Sequence, residues 1–352
     1  MFPEGHFFLH VLYGLTWVEL GMRAPVGERF AALREARWAL EELDSPTGRA
    51  PFSAELTPPY GVFHRGWSNW LRGGVLSLQP AGQRDAGEER QFARDSAELG
   101  AAFDASSSPY LESYPGQAWP VDSTVAIASL RLHDLLLPDR FGRTVQRWLR
   151  EVQERLDPNT GLLPHRVDPG TGQPTEVARG TSQSLIQRFL IDVDPAFAAS
   201  QYSRFSNRYI TSPLGLGPTV REYPYGMEGP ADIDSGPLPL GVSLPASVVT
   251  IGTAQVHGDA RLAAALAGVS ELAGVPIDTP WTKRYALGLL PVGDAFLAWS
   301  KTARPWVAKV PSPPPTSAVS AWWRVPLLSL LMLCSAAPWL PALVWRHRRR
   351  HA

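Results

Sequence analysis

The chain has 352 residues, 33 basic against 33 acidic side chains, 44% hydrophobic residues and one cysteine, Cys334. That apolar fraction can bury a core, which excludes a disordered chain. A net charge of zero excludes a nucleic-acid binder that relies on bulk positive charge, and a lone cysteine excludes an intrachain disulfide framework and a CxxC zinc site. Thirty-four prolines limit long uninterrupted helices, and thirteen tryptophans point to ligand-facing platforms.

Helical periodicity runs through most of the chain, and successive predicted helices alternate in character. Residues 7–22 carry one charge, Glu19, whereas 28–43 carry seven; 120–136 carry three and 139–156 eight; 236–256 carry none and 259–272 three. Helices apolar all round are buried, and charged amphipathic ones face solvent. The expected order is therefore an inner helix followed by an outer one, repeated. Inner helices are expected to begin near positions 5, 64, 120, 180, 235 and 284, at the spacing of one helical hairpin. The expected fold is all-α, an (α/α)6 toroid of six hairpins over residues 1–305, with long loops at one end. Residues 157–180 (DPNTGLLPHRVDPGTGQPTEVARG) are dense in Gly, Pro, Asp and Thr and predict a β-hairpin-like excursion.

Towards the C-terminus, residues 306–324 hold the segment VPSPPPTS and read as a stiff Pro-rich linker. Residues 325–345 are uncharged for 21 positions, enough for a bilayer-spanning helix, although Pro338 and Pro341 interrupt them. Lys309 and Arg324 precede this run; Arg346, Arg348, Arg349 and Arg350 follow it in a basic tail, 346–352. The positive-inside rule puts that tail in the cytoplasm and the large domain outside. Residues 1–22 hold no Lys or Arg and so lack the basic start of a secretory signal. Two topologies follow: an extracytoplasmic domain whose native start lies upstream or whose signal is removed or missed, or a tail-anchored cytosolic domain.

If helices alternate in direction, every loop leading into an inner helix emerges at the same end. The unusual residues sit in those loops. Residues 2–7 bring Glu4 and His6. Residues 59–70 bring Tyr60, His64 and Trp67. Residues 110–123 (YLESYPGQAWPVDS) bring Tyr114, Gln117, Trp119 and Asp122. Residues 164–183 bring His165, Arg179 and Gln183. Residues 221–236 (REYPYGMEGPADIDSG) bring Glu222, Tyr223, Glu228, Asp232 and Asp234. Residues 278–294 bring Trp281. Aromatic rings stack on the apolar faces of sugars, and nearby carboxylates and amides bind hydroxyls.

Trp-Pro-x-Asp at the mouth of an inner helix makes Asp122 the first catalytic candidate, with Asp234 as the opposing carboxylate and Glu228 in reserve. Each also has a capping reading: Asp is favoured in a first helical turn by backbone amides and the dipole. Amide donation would lower the Asp122 pKa and suit a base or nucleophile. Asp-x-Asp-x-Gly from Asp232 is not an EF-hand, because its twelfth position is Ser243. His6 and His10 lie four apart beside Glu4, but no HExxH motif is present and no metal or cofactor is assigned. Without a P-loop or GxGxxG there is no support for nucleotide chemistry.

In layout, over about residues 1–300, the chain resembles the six-hairpin glycosidase superfamily. The resemblance implies a membrane-anchored carbohydrate-active enzyme, glycoside hydrolase-like, with paired carboxylates Asp122 and Asp234. Tyr60, Trp67, Tyr114, Trp119, Tyr223 and Trp281 would line the cleft. Gln117, Arg179, Gln183 and Asp232 would bind substrate. The alternatives are a non-hydrolytic toroid enzyme (epimerase, lyase or dehydratase-isomerase) using His64 or His165 with Tyr or Glu, and an inactive glycan-binding scaffold. The expected partners are a carbohydrate or other small-molecule substrate and a lipid bilayer at 325–345, with no nucleic acid.

Overall fold

The computed structural model describes residues 3–312, 315, 319–320, 322–339 and 341. It is mostly helical. The helices are α1 (Gly5–Arg23), α2 (Phe30–Asp44), the single turn α3 (Pro46–Arg49), α4 (Gly61–Ser77), α5 (Ala86–Ala105), α6 (Pro120–Leu136) and α7 (Gly142–Gln153). They continue as α8 (Gly180–Val193), α9 (Pro195–Tyr209), α10 (Leu244–Val256), α11 (Ala260–Ala273), α12 (Pro291–Lys301) and α13 (Arg324–Ala336).

Among the described residues, three small antiparallel sheets decorate the loops. β1 (Arg166–Val167) pairs with β2 (Pro174–Glu176) in the predicted excursion. β3 (Ile210–Thr211), β4 (Thr219–Arg221) and β5 (Val242–Ser243) lie side by side, with Val220 opposite both Ile210 and Ser243. β6 (Ile277–Asp278) pairs with β7 (Lys283–Arg284).

The predicted alternation of helices holds. α6 buries every residue from Pro120 to Leu130, whereas α7 buries only a stripe of Thr144, Val145, Trp148, Leu149 and Val152. That stripe follows the helical repeat, and each buried aliphatic side chain in it contributes ~1.5–3 kcal/mol. Helix α1 packs on α4, α4 on α6, α6 on α8, α8 on α10, α10 on α12, and α12 on α1 again. Helices α2, α5, α7, α9 and α11 each pack on the preceding member of that series. Close approach needs small residues: a Cβ on Gly66 of α4 would lie 3.0–3.2 Å from Ala126 of α6.

Three inner helices start at the expected positions, namely α1, α6 and α8. The second starts three residues early, at Gly61. The fifth starts at Leu244 rather than near 235, because Leu240 (φ 54°) and Gly241 (φ 77°) take the left-handed conformation and 242–243 join a sheet. The sixth starts at Pro291 rather than near 284, because 283–284 belong to the β6–β7 hairpin.

The tryptophans divide between core and surface. Trp67, Trp148 and Trp299 are fully enclosed, and Trp70 and Trp306 are buried and stacked at 4.4 Å. Packing therefore runs past 305 into the segment expected to be linker. Its backbone amides at Trp306, Val307 and Ala308 all donate to the Asp192 carboxylate. Among the described residues no helix is long and apolar enough to cross a membrane. α13 yields to a 3-10 turn, Ala337–Trp339, where Pro338 lacks an N–H. Most of 340–352, including the distal end of the expected span and the basic tail, lies outside the described residues.

Candidate functional site

Trp119 is extended (φ −110°, ψ 119°), as a residue before proline prefers, and Pro120 opens α6. This puts Asp122 in the first turn, 5% exposed. Among the described residues no backbone amide donates to its carboxylate. Oδ1 accepts from the Trp67 indole Nε1–H at 3.2 Å, and Oδ2 from the Ser113 hydroxyl at 2.6 Å. Asp122 does sit in the first turn of α6, but the amide-capping reading is overturned, and with it the lowered pKa. Desolvation pushes Asp122 up to about 7 against the pull of those two hydrogen bonds, and the charge of Asp234 adds to the rise. No cation is among the causes.

The loop before α6 holds Ser113 in place. Tyr114-Pro115-Gly116-Gln117 is a tight turn with Gly116 at φ 70°, closed by the Gln117 N–H on the Tyr114 carbonyl at 2.9 Å. The Gln117 carbonyl accepts the Ser113 N–H at 2.9 Å, so Gln117 serves the site through its backbone. The Tyr114 ring meets Trp119 edge-on at 5.7 Å, and its hydroxyl donates to Glu4 Oε1 at 2.5 Å. Burial holds the Tyr114 hydroxyl well above the usual phenol range. Glu4 reinforces this, and Asp122 and Asp234 add to it. Tyr114 thus keeps its proton and donates it in a hydrogen bond to Glu4.

Asp234 is itself exposed on its loop, and the protein beside it desolvates its carboxyl in part. Desolvation raises its pKa first, Asp232 and Glu4 raise it further, and Arg179 opposes them. It caps no helix; α10 is capped by Ser243. Asp232 Oδ1 accepts the N–H groups of Asp234 (3.1 Å) and Ser235 (2.8 Å), which fixes the turn that carries Asp234.

Arg179 anchors that turn. Its Nε donates to Glu222 at 2.8 Å and its Nη1 to Asp232 Oδ2 at 2.6 Å, and its guanidinium lies 5.4 Å from the Tyr223 ring centre. Burial alone would lower the Arg179 pKa, but Glu222 and Asp232 outweigh it and the pKa rises. Arg179 Nη2 is enclosed without a hydrogen-bond partner. Glu222, fully buried, also accepts the Thr181 N–H and hydroxyl. His165 faces Ser182 Oγ at 2.5 Å, and burial, reinforced by Arg179, pushes it down to about 3. It is neutral at physiological pH.

Residues from five of the six predicted segments therefore meet: Glu4, Trp67, Tyr114 with Trp119 and Asp122, Arg179, and Asp232 with Asp234. Other expected residues go elsewhere. Gln183 is fully buried and donates to the Leu163 carbonyl at 2.6 Å. His64 is buried between Phe7, Phe52 and Tyr60, faces the Leu43 carbonyl at 3.1 Å, and is pushed down to about 4 by desolvation. Tyr60 precedes α4 at φ 71° with Arg49 over its ring. The Tyr223 hydroxyl donates to the Pro230 carbonyl. Glu228 is exposed. Trp281 is 91% exposed on the β6–β7 hairpin.

Sequence reading undervalued Glu4, Ser113 and Glu222. The tight-turn signature YPGQ, which aims Ser113 and Tyr114, was the available signal. A surface hollow of about 330 Å³ lies apart from this cluster, on α2 between Phe30 and Glu41. No protein-family profile matches the chain, and no curated protein is similar to it.

Proposed function

We propose that the protein is a carbohydrate-active (α/α)6 toroid enzyme that hydrolyses glycosidic bonds with paired carboxylates. The return of α12 to α1 supports the toroid. One observation carries the chemistry: among the described residues Asp122 is buried away from any cation, accepts hydrogen bonds from Trp67 and Ser113, and is pushed up to about 7 by desolvation. Such a carboxyl keeps its proton through weakly acidic pH and suits a general acid.

In this reading Asp122 gives its proton to the leaving-group oxygen as the C–O bond breaks. Asp234 acts from the opposite side, either taking a proton from the attacking water or attacking the sugar carbon itself. Tyr114 and Trp119, both partly exposed, offer ring surfaces to the sugar. Glu4, rather than the exposed Glu228, is the reserve carboxylate. Residues 325–345 would tether the domain to a bilayer, with the domain on the extracytoplasmic side.

The test is turnover and binding of an oligosaccharide panel by the full chain, Asp122→Asn and Asp234→Asn. The expected result is that both variants bind but do not cleave. A parent that cleaves nothing, or an Asp122→Asn variant with full turnover, overturns the reading.

The Tyr114–Glu4 hydrogen bond favours a second reading, a non-hydrolytic enzyme that moves a proton at carbon. Tyr114→Phe would then abolish activity, and the parent would exchange solvent deuterium into substrate without releasing a smaller sugar.

A further inference from the structure

Two histidines of α1 take no part in the Asp122 cluster. His6 and His10 are one helical turn apart, with ring centres 4.1 Å apart. They face Glu42, in the last turn of α2. One ligand atom from each of the three residues lies within 4.8 Å of the other two. The carboxylate comes from the neighbouring helix, 36 and 32 positions away in sequence. Glu4, the acidic residue nearest in sequence, is instead hydrogen-bonded by Tyr114.

The state of the donor atoms is informative. His10 Nδ1 lies 2.7 Å from the His6 carbonyl. A carbonyl only accepts, so Nδ1 carries the proton and Nε2 of the neutral ring keeps its lone pair. This fixing of one ring nitrogen on a backbone oxygen is the support that metal-ligating histidines use. His6 Nε2 is enclosed without a hydrogen-bond partner, 3.5 Å from Glu42 Oε2. Among the described residues the Glu42 carboxylate has no other ion pair. Trp38 meets the His10 ring edge-on at 5.1 Å and screens one side. All three side chains are partly buried.

We propose that His6, His10 and Glu42 form a site for a borderline divalent metal ion, Zn²⁺ foremost. Two imidazoles and one carboxylate are the donor set of three-ligand zinc sites, which leave a fourth position for water. The site joins the start of α1 to the end of α2, and so steadies the segment that holds Glu4 against Tyr114. The ion draws the three donors closer than in its absence.

The test is metal binding by the full chain without an affinity tag, with His347 and His351 changed to Ala so that the tail cannot bind. Zn²⁺ binding is measured by calorimetry and by metal content after dialysis. Cobalt is added separately for its visible spectrum. The expected result is one Zn²⁺ per chain, a four-coordinate nitrogen-oxygen Co²⁺ spectrum, and a Tm that rises with Zn²⁺. His6→Gln and Glu42→Gln should each weaken binding at least about tenfold, since even outer-shell losses cost ~10–100-fold. Circular dichroism confirms that each variant is folded. Glu41→Gln, on the same helix, should bind as the parent does. Absence of stoichiometric binding by the folded parent overturns the proposal. So does unchanged affinity in both folded ligand variants.

Discussion

Removing Asp122 from water costs more than two neutral hydrogen bonds return, and that balance sets it apart from an ionised helix cap. The cost has a measurable consequence. The folded pKa of about 7 lies above the ~3.9 of an unfolded aspartate. A raised carboxyl contributes stability that is fully present below the unfolded value and is lost as pH rises through the folded one. Asn copies the shape of the protonated acid and cannot ionise. Asp122→Asn should therefore gain on the parent between pH 4 and pH 8, while turnover is lost. A gain of ~2–4 °C in Tm at pH 8 relative to pH 5 is the expected size. Melting curves of both proteins at the two pH values test this, and a constant gap would show that Asp122 is ionised throughout. Trp-Pro-x-Asp made the residue itself legible in sequence. Its environment was not, because the decisive donors, Trp67 and Ser113, come 55 and 9 positions earlier and approach from another helix and a loop.

At the level of elements, charge alternation along the chain revealed which helices are inner and which outer. Helix starts were legible where proline set them, as at Pro120. They were misread at 235 because GPLPLGVS is apolar and uncharged like a buried helix. Leu240 in the left-handed region breaks that run, a conformation a hydrophobic pattern does not report. The approach of α8 to β4 follows the same logic. The Gly180 N–H donates to the Glu222 carbonyl at 2.7 Å, and a Cβ on Gly180 would sit 2.0 Å from the Arg221 carbonyl oxygen. Gly180→Ala must push the two segments apart and loosen the Arg179–Glu222 pair beside them. The expected loss is ~1–3 kcal/mol by denaturant unfolding, the range for overpacking. Gly82→Ala is the control, because nothing lies within 4 Å of its Cβ. It should change stability by less than ~0.5 kcal/mol. Equal losses at the two positions would mean that the α8–β4 contact yields without strain.

The contact between the last inner helix and the first is what the sequence conceals at the scale of the whole molecule. The spacing predicts six hairpins, whereas among the described residues five outer helices, α2, α5, α7, α9 and α11, pack on the inner series. The spacing does not say whether the series ends open or returns to its start. The return is made by α12 against α1, with Arg188 of α8 reaching into the junction. Arg188 Nη2 donates to Glu19 Oε1 at 2.8 Å and to the Trp299 carbonyl at 3.1 Å, and its guanidinium lies 3.4 Å from the Trp299 ring centre. The Thr302 hydroxyl completes the set on Glu19 Oε2 at 2.7 Å. Glu19 was visible in sequence only as the single charge in an apolar helix. Its partners lie 169 and 283 positions away, beyond any local pattern. Both ions are enclosed, so removing one charge strands the other, at ~3–5 kcal/mol. Glu19→Gln and Arg188→Met should each lose about that much, and the double variant should lose clearly less than their sum. Because the pair ties α1 to α8 beside α12, the loss should also speed hydrogen exchange in α12 and α1 ahead of α6. Additive losses, or exchange that rises evenly through all the inner helices, would show that apolar packing alone holds this junction closed.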